Sequence, residues 1–190
     1  MRIYFSEGEA LRGEAGEQLV LEANRRYSAY MGREAFPLPE IARSENGKPY
    51  FRGGDALPHF SVSHSGELWC CLMADFPVGI DIQEKSSRTS EALSKLAKRY
   101  FSDAEAAYSD LYGEDAFYRI WTRKEALVKL TDGRLYSTLK NISLLDSDYE
   151  LSEELSVNGK TAYFGELEIG EGICCSYCVS EREHALIEFL

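Results

Sequence analysis

A short stretch of the sequence, residues 121–129, sets charged side chains among apolar ones at helical spacing. At about 100° per residue, one side of the predicted helix carries Trp121, Lys124, Glu125 and Val128, with Lys129 at its border. A lone carboxylate between a Trp and a Val is costly to bury unless it is paired, hydrogen-bonded or bound to a cation. Glu125 is therefore a candidate metal ligand. The structural alternative is a surface pair with Lys129 at i,i+4, which stabilises a helix by about 0.3–0.5 kcal/mol.

Asp81 is a second carboxylate that could take part in chemistry. It lies in the predicted strand 78–82, where alternation places Asp81 and Gln83 on one face and the apolar residues on the other. This polar face is either the solvent side of an edge strand or a pair of ligands. The strand pattern alone leaves both interpretations open.

Two further segments contain residue types suited to an anionic ligand. Ser63 and His64 end an alternating apolar and hydroxyl segment, and Lys48 and Pro49 follow a glycine in a turn cluster. Each residue also has an ordinary structural interpretation. Ser63 would cap a turn, His64 would lie on the surface, and Pro49 would end a turn.

The composition narrows the class of protein. The 190 residues are 44% hydrophobic, enough for a folded core, and their formal charge is −11. That charge argues against a nucleic-acid binder held by phosphate contacts, because such a protein needs a basic surface. No apolar run approaches the roughly 18 residues of a membrane span, and the N-terminus lacks a signal-peptide core. We therefore expect a soluble cytoplasmic protein.

The five cysteines fit the same compartment. Cys70, Cys71, Cys174 and Cys175 form two adjacent pairs inside strand-like runs, and the odd total suits reduced, buried thiols. Zinc bound by Cys175 and Cys178 with Cys70 or Cys71 is the less favoured alternative, because a loop-borne second pair and nearby His ligands are missing.

Helices and strands that would position these residues follow from periodicity and caps. Helices are predicted at 16–31, within 85–101, from a Ser102/Glu105 capping box to about residue 112, and at 116–130 with Asp115 as its cap. Strands are predicted at 3–5, at 68–74 paired with 78–82, and later at 141–145, 149–155, 161–169, 173–180 and 186–190. We expect an α+β fold of two comparable halves, residues 1–84 and 85–190.

The segment from Lys85 to Arg99 departs from the acidic average of the chain. Five basic residues face a single acidic one, Glu91, and the apolar residues follow the spacing of an amphipathic helix. The basic side of this helix is either solvated or a docking surface for an acidic partner.

Four separated pieces of the sequence together resemble the 4′-phosphopantetheinyl transferases of the surfactin-synthetase-activating (Sfp) type. The pieces are Gly47-Lys48-Pro49, Phe60-Ser61-Val62-Ser63-His64-Ser65, Val78-Gly79-Ile80-Asp81-Ile82 and residues 121–129. Between the last two, residues 99–105 are similar to that family's Arg-Phe-Phe-Ser-x-x-Glu segment. Gly-Lys-Pro is common by chance, whereas Gly-Ile-Asp-Ile followed about 40 residues later by Trp-x-x-Lys-Glu-Ala-x-x-Lys is specific.

The resemblance implies transfer of the phosphopantetheine arm of coenzyme A to a serine of an acyl or peptidyl carrier protein, with release of 3′,5′-ADP. It implies that Asp81 and Glu125 bind Mg²⁺ and that Lys124 and Lys129 contact phosphates, Lys129 acting in catalysis by stabilising the leaving group. Glu125, or a metal-bound water that it orients, would be the general base.

The same resemblance assigns the coenzyme A contacts. Ser63 and His64 would contact its phosphates, and Lys48 and Pro49 would line its adenine. Trp121 is interpreted as a core residue that braces the helix. The segment from Lys85 to Arg99 would be the dock for the carrier protein.

The architecture implied by the resemblance is a pair of similar ferredoxin-like α+β halves packed as an intramolecular pseudo-dimer. The active site would lie in the cleft between the halves, with Asp81 and Glu125 from opposite halves. An internal pseudo-dimer favours a monomer in solution.

The sequence departs from the family at several positions. Gln83 stands where many relatives have Glu, and because a neutral amide is a poor Mg²⁺ ligand we expect it to contact a coordinated water. Asp132-Gly133 replaces a Gly-x-Gly turn. The basic residues that hold the 3′-phosphate in relatives are not recognisable, and Arg12 is the one candidate. Two alternatives stay open: a non-catalytic carrier-binding module of the same fold, and metal-dependent phosphoester hydrolysis.

Overall fold

The computed structural model of the protein describes residues 1–8, 11–33, 38–54, 56–133 and 140–190. The helices in these ranges are α1 (Gly13–Tyr30), α2 (Ser90–Tyr100), α3 (Asp103–Tyr112) and α4 (Glu114–Thr131). The strands are β1 (Arg2–Glu7), β2 (Glu40–Arg43), β3 (Pro49–Arg52), β4 (His59–Ser65), β5 (Leu68–Ala74), β6 (Val78–Glu84), β7 (Glu154–Val157), β8 (Lys160–Leu167), β9 (Ile173–Val179) and β10 (Leu186–Phe189).

Two four-stranded sheets form the framework of the described ranges. The first has the order β10-β1-β5-β4, and the second has the order β6-β9-β8-β7. β2 and β3 form a separate two-stranded sheet. Helix α1 packs on the first sheet through Val20, Ala23 and Tyr27, and α2, α3 and α4 share a core with β8 and β9. Apolar residues of β1, β5, β6 and β9 form a third cluster that joins the two sheets. The predicted α+β fold of two closely packed halves is confirmed.

The chain crosses between the sheets at β6 and again at β10. β6 pairs antiparallel with β9, and β10 pairs parallel with β1. The predicted pairing of residues 68–74 with 78–82 is therefore wrong, because β1 and β4 already occupy both edges of β5. A division at residues 84/85 does not follow the sheets, since β6 lies with the C-terminal strands and β10 with the N-terminal ones.

Helix starts agree with the sequence at α3 and differ at α4. Ser102 and Glu105 form the predicted capping box of α3. Helix α4 begins at Glu114, after Gly113 at a φ of 82°, and no side chain caps it. Asp115 lies in the first turn and is not the cap that the sequence predicted. The positive φ at the junction requires a residue such as Gly113, which explains why the chain can turn there without a capping side chain.

The C-terminal part of the chain contains β7 to β10, which overlap four of the predicted strands. Residues 141–145 do not form a strand, and only an isolated bridge joins Leu145 to Leu151. Side chains from the helices bond the backbone of this segment instead, Lys124 at Ile142 and Glu105 at Leu144. Among the helices described here, none is long and apolar enough to cross a membrane.

Candidate active site

An open cleft of about 470 Å³ lies where β4, β6 and α4 meet. Its described lining comprises Val62, Ser63, His64, Trp69, Asp81, Gln83, Arg88, Leu96, Phe117, Tyr118, Trp121, Glu125 and Lys129. Strand β4 supplies the serine and the histidine, β6 the aspartate, and α4 the glutamate and the lysine. The cleft thus collects side chains that are widely separated in the sequence.

Gly79 allows α4 to lie directly on β6. A Cβ atom at this position would overlap the carbonyl oxygen of Ala126 and would also crowd the backbone nitrogen of Leu130. This close approach sets Glu125 of the helix beside Asp81 of the strand. The two carboxylates therefore belong to the same sheet-and-helix layer, contrary to the expectation that they come from opposite halves, whereas β4 belongs to the other sheet.

Three side chains donate hydrogen bonds to Asp81, which is 3% exposed. Ser63 Oγ lies 2.7 Å from Oδ1, and Lys129 Nζ lies 2.8 Å from the same oxygen. Gln83 Nε2 donates to Oδ2 at 3.1 Å. These donors compensate the burial of a negative charge. Gln83 contacts the carboxylate itself, which the sequence did not predict.

Glu125 faces the same cleft and is partly buried. Among the described residues, no side chain or backbone group donates a hydrogen bond to its carboxylate. Burial, followed by the negative charge of Asp81, raises the pKa of Glu125 to about 7, against the opposing charge of Lys129. A carboxyl group with this pKa is ionised in a large fraction of molecules at neutral pH, as a general base requires.

Two lysines reach carbonyl groups on the edge of β6. Lys48 Nζ donates to the carbonyl of Val78 at 3.0 Å, and Lys129 Nζ donates to that of Ile80 at 2.9 Å. Burial lowers the pKa of Lys48 to about 8; Asp132 opposes this shift and Lys129 adds to it. Both lysines line one small cleft, where an anion bound between the two ammonium groups would be stabilised.

Serine hydroxyls bond the amide groups of the same strand edge. Ser61 Oγ accepts from the amide of Ile80 at 3.1 Å, and Ser65 Oγ accepts from that of Glu84 at 2.8 Å. Ser61, Ser63 and Ser65 alternate along β4, so all three reach β6 from one side. The serine side chains therefore join β4 of the first sheet to β6 of the second by hydrogen bonds. The alternating serines are evident in the sequence, but this role was not predicted from them.

Lys124 does not lie among the residues that line the cleft. It is 1% exposed, and its Nζ pairs with Glu105 at 2.9 Å and donates to the carbonyl of Ile142 at 2.6 Å. On the helix, Lys124 is about 100° from Glu125, and its side chain extends towards α3. The sequence predicted a phosphate contact for Lys124, whereas the structure places its ammonium group at Glu105 and the carbonyl of Ile142.

Trp121 both braces α4 and lines the cleft. Its ring stacks on Phe117 at a centroid distance of 5.8 Å and meets Tyr100 edge-on at 5.5 Å. The indole is partly exposed on the cleft side. Arg88, in the connection between β6 and α2, also lines the cleft, where the sequence had grouped it only with the basic segment.

Comparison with known proteins identifies the family. Residues 77–178, more than half of the chain, match the sequence pattern of the 4′-phosphopantetheinyl transferase superfamily. The chain belongs to this superfamily. The 4′-phosphopantetheinyl transferase Sfp of Bacillus subtilis (strain 168) is 30% identical over 192 residues, covering 96% of this chain and 80% of the relative. The 4′-phosphopantetheinyl transferase gsp of Aneurinibacillus migulanus is 32% identical over 186 residues, covering 92% and 71%.

A further relative matches a shorter region of the transferase at higher identity. The 4′-phosphopantetheinyl transferase AcpT of Salmonella typhi is 37% identical over 128 residues, which cover 65% of each chain. The resemblance drawn from the separated motifs is therefore confirmed at the level of the family.

Asp81 and Glu125 both face the cleft and offer carboxylate oxygens, the ligand type that Mg²⁺ prefers. A divalent cation would offset the repulsion between two carboxylates in one cleft. Within the described ranges, no group of three or more His, Cys, Asp or Glu side chains is arranged to hold a metal. Water and phosphate oxygens would have to complete the shell.

Two smaller clefts adjoin the main one. A cleft of about 220 Å³ contains Lys48 and Pro49 and shares Lys129 with the main cleft. Another, of about 180 Å³, shares His64 with the main cleft and is lined by Arg12, Arg43 and the start of α1. Arg43 was missed because nothing in its local sequence distinguishes it from a surface arginine.

Proposed function

We propose that the protein transfers the 4′-phosphopantetheine arm of coenzyme A to a serine of an acyl or peptidyl carrier protein and releases 3′,5′-ADP. The observation that carries this proposal is the meeting of Asp81, Glu125 and Lys129 with Ser63 and His64 in one cleft. Phosphoryl transfer from a diphosphate needs cationic groups, hydrogen-bond donors and a base at one place. Membership of the transferase superfamily supports the same class of reaction.

In this proposal Glu125 is the base that accepts the proton of the carrier serine. The serine oxygen attacks the phosphorus next to the pantetheine, and a new P–O bond forms as the bond to the 3′,5′-ADP oxygen breaks. Lys129 neutralises the charge that develops on the departing phosphate. The pKa of Glu125, raised to about 7, supports its role near neutral pH.

Asp81 and Glu125 are the residues that would hold Mg²⁺. The ion, when bound, supplies charge neutralisation for the diphosphate. Ser63 and His64, from the opposite sheet, would contact phosphate oxygens, and Ser63 would do so by turning its single hydroxyl proton from Asp81 to a phosphate. These contacts would fix the diphosphate relative to the carboxylates.

The remaining contacts of coenzyme A are assigned to the two adjoining clefts. Lys48 and Pro49 would line the adenine. Arg12 and Arg43, with His64, would hold the 3′-phosphate, supported by the first turn of α1, whose N-cap residue, Arg12, makes no side-chain cap bond.

The direct test is mass spectrometry of apo carrier proteins incubated with the enzyme, coenzyme A and Mg²⁺. We expect a mass gain equal to one phosphopantetheine, and we expect it to disappear with excess EDTA. Detectable coenzyme A binding with no mass gain on any carrier would favour a carrier-binding module. Release of 3′,5′-ADP without a carrier would favour phosphoester hydrolysis.

The assignment of the 3′-phosphate predicts a substrate-specific defect. Replacing Arg12 and Arg43 by Gln together should lower kcat/KM for coenzyme A about tenfold to thirtyfold, because each lost charged contact is worth about 1 kcal/mol at a partly exposed site. With dephospho-coenzyme A, which lacks that phosphate, the double variant should match the unmodified enzyme. Steady-state kinetics with both substrates makes the comparison, and Arg25→Gln, an exposed α1 arginine paired with Glu22, is the control. Equal losses for both substrates would contradict the assignment.

We propose the segment from Lys85 to Arg99 as the dock for the carrier protein. Within it, Lys95 pairs with Glu91 at 2.7 Å and Lys98 lies 3.8 Å from Asp110, so part of its charge is already balanced. Arg88 lines the cleft itself and could meet an acidic group beside the incoming serine. Association rates measured over a range of salt concentrations test this surface, since steering by charge weakens as salt rises.

We infer a cytoplasmic monomer. The five cysteines are free thiols, which suits a reducing compartment. The two sheets already share an apolar cluster within one chain, which leaves no need for a second copy to build the core. Sedimentation equilibrium tests the oligomeric state.

A further inference from the structure

Both oxygens of Asp81 are engaged by side chains of the described chain. An ionised carboxylate offers about four lone-pair positions. Ser63 and Lys129 occupy Oδ1 at 2.7 and 2.8 Å, and Gln83 occupies Oδ2 at 3.1 Å. With these three contacts in place, Asp81 has one position left for a cation, on the oxygen that Gln83 also uses.

Lys129 competes with a divalent cation for Asp81. Its Nζ donates both to Oδ1 and to the carbonyl of Ile80 at 2.9 Å, so the ammonium group is anchored at the carboxylate. A positive charge there lowers the affinity of the site for a second cation. The phosphates of coenzyme A would offer Lys129 charged partners at least as strong as Asp81. A ligand that draws Lys129 away therefore releases Asp81 for the cation.

Gln83 reinforces this dependence. Its amide donates to Asp81 and brings no negative charge, so the carboxylates among the described residues that line the cleft are those of Asp81 and Glu125. Two carboxylates attract a divalent cation less strongly than three carboxylates would. The phosphate oxygens of the substrate supply the missing negative charge.

We propose that Lys129 and Gln83 are positioning residues that make a divalent cation and coenzyme A bind cooperatively. The protein alone binds the cation weakly, and coenzyme A completes the site by moving Lys129 from Asp81 to the diphosphate. Linkage requires that the cation raise the affinity for coenzyme A by the same factor. This inference rests on the proposed function, because it takes coenzyme A as the ligand of the cleft.

The test uses Mn²⁺ as the probe and measures the free ion by electron paramagnetic resonance during titration of the full chain. With saturating coenzyme A, after subtraction of Mn²⁺ held by coenzyme A alone, the Kd for Mn²⁺ should fall at least tenfold. In Lys129→Gln, Mn²⁺ should bind the protein without coenzyme A at least tenfold more tightly than in the unmodified protein, and the gain from coenzyme A should shrink. Gln83→Glu should also bind Mn²⁺ more tightly than the unmodified protein without coenzyme A, and the gain from coenzyme A should again shrink. The control is Lys160→Gln, an exposed lysine of the β7–β8 hairpin, with unchanged binding.

The outcomes separate this inference from the proposed function. Equal Mn²⁺ affinity with and without coenzyme A, in a protein that does bind coenzyme A, overturns the inference and leaves the transferase proposal standing. Cooperative binding that both Lys129→Gln and Gln83→Glu leave unchanged also overturns it. No binding of coenzyme A at any Mn²⁺ concentration overturns the proposed function itself. Thermal unfolding of each variant confirms that the measurements refer to folded protein.

Discussion

Replacing Glu125 with Gln is expected to abolish transfer and, in the absence of divalent cations, to make the protein more stable. Transfer should fall on the order of 10³-fold or more, because the variant loses both a proposed ligand and the proposed base. Stability should rise because the substitution removes a partly buried charge that Asp81 repels. A gain on the order of 1–3 kcal/mol is expected in EDTA at pH 8.

The pH dependence of this gain follows from the direction of the pKa shift. The ordinary pKa is 4.5, and the folded protein raises the pKa of Glu125 to about 7. Below pH 4.5 both the folded and the unfolded states hold the proton, and the group has no effect on stability. Between pH 4.5 and about pH 7, Glu125 is ionised in the unfolded chain and protonated in the folded one. The free energy of unfolding therefore falls as the pH rises through this window, and the decrease is complete above about pH 7. The advantage of Glu125→Gln should grow over the same window.

Urea denaturation from pH 4 to 9 in EDTA measures this difference. Glu171→Gln, an exposed glutamate in the turn between β8 and β9, is the matched control and should change neither stability nor transfer. A Glu125→Gln protein that is less stable than the parent at pH 8 would show that Glu125 makes a stabilising ion pair, as in the alternative surface interpretation. Transfer at the parental rate would remove Glu125 from the proposed site.

Asp81→Asn should lose transfer as well, but without a gain in stability. Asp81 differs from Glu125 in having donors at both oxygens, from Ser63, Gln83 and Lys129. The substitution removes the negative charge that pairs with Lys129, and this loss lowers the free energy of unfolding. The two substitutions therefore distinguish a repelled carboxylate from a paired one, although both should inactivate the enzyme.

The sequence predicted the direction of a side chain best where local periodicity fixes it. Alternation along a strand determines which face Asp81 occupies, and the spacing of the helix puts Glu125 and Lys129 on one side. The capping box of Ser102 and Glu105 is local in the same sense, and the structure contains it. The α+β class also followed from the order of helices and strands.

The sequence failed where long-range pairing or the reach of a long side chain decides the outcome. β6 pairs with β9, close to the far end of the chain, and no local pattern distinguishes this partner from the adjacent β5. Lys124 sits next to Glu125 in sequence, but its flexible side chain extends to a carboxylate on another helix. Arg43 lines the smaller cleft beside His64 because the β2–β3 hairpin packs against β4, a contact that composition does not predict.

Breaking the buried pair of Glu105 and Lys124 is expected to destabilise the protein without weakening coenzyme A binding. The side chains are 0% and 2% exposed and 2.9 Å apart. Glu105 also accepts hydrogen bonds from the amides of Ser102 and Leu144. Lys124→Met leaves that carboxylate buried without its counter-ion, which costs about 3–5 kcal/mol. The KM for coenzyme A, measured below the unfolding temperature, should stay within about twofold of the parental value.

A double-mutant cycle separates the pair from its surroundings. Lys124→Met, Glu105→Gln and their combination should give a coupling free energy of about 2 kcal/mol or more, read from urea denaturation. The matched cycle on Lys95 and Glu91, an exposed pair with side chains 74% and 79% accessible, should give no more than about 0.5 kcal/mol. An intact stability with a tenfold rise in KM would instead place Lys124 at the phosphates, as its position in the motif had suggested. We expect a structural role because Lys124 is buried. Its ammonium group would have to break its contacts with Glu105 and with the carbonyl of Ile142 before it could reach the diphosphate, and its movement would leave a cavity in the core.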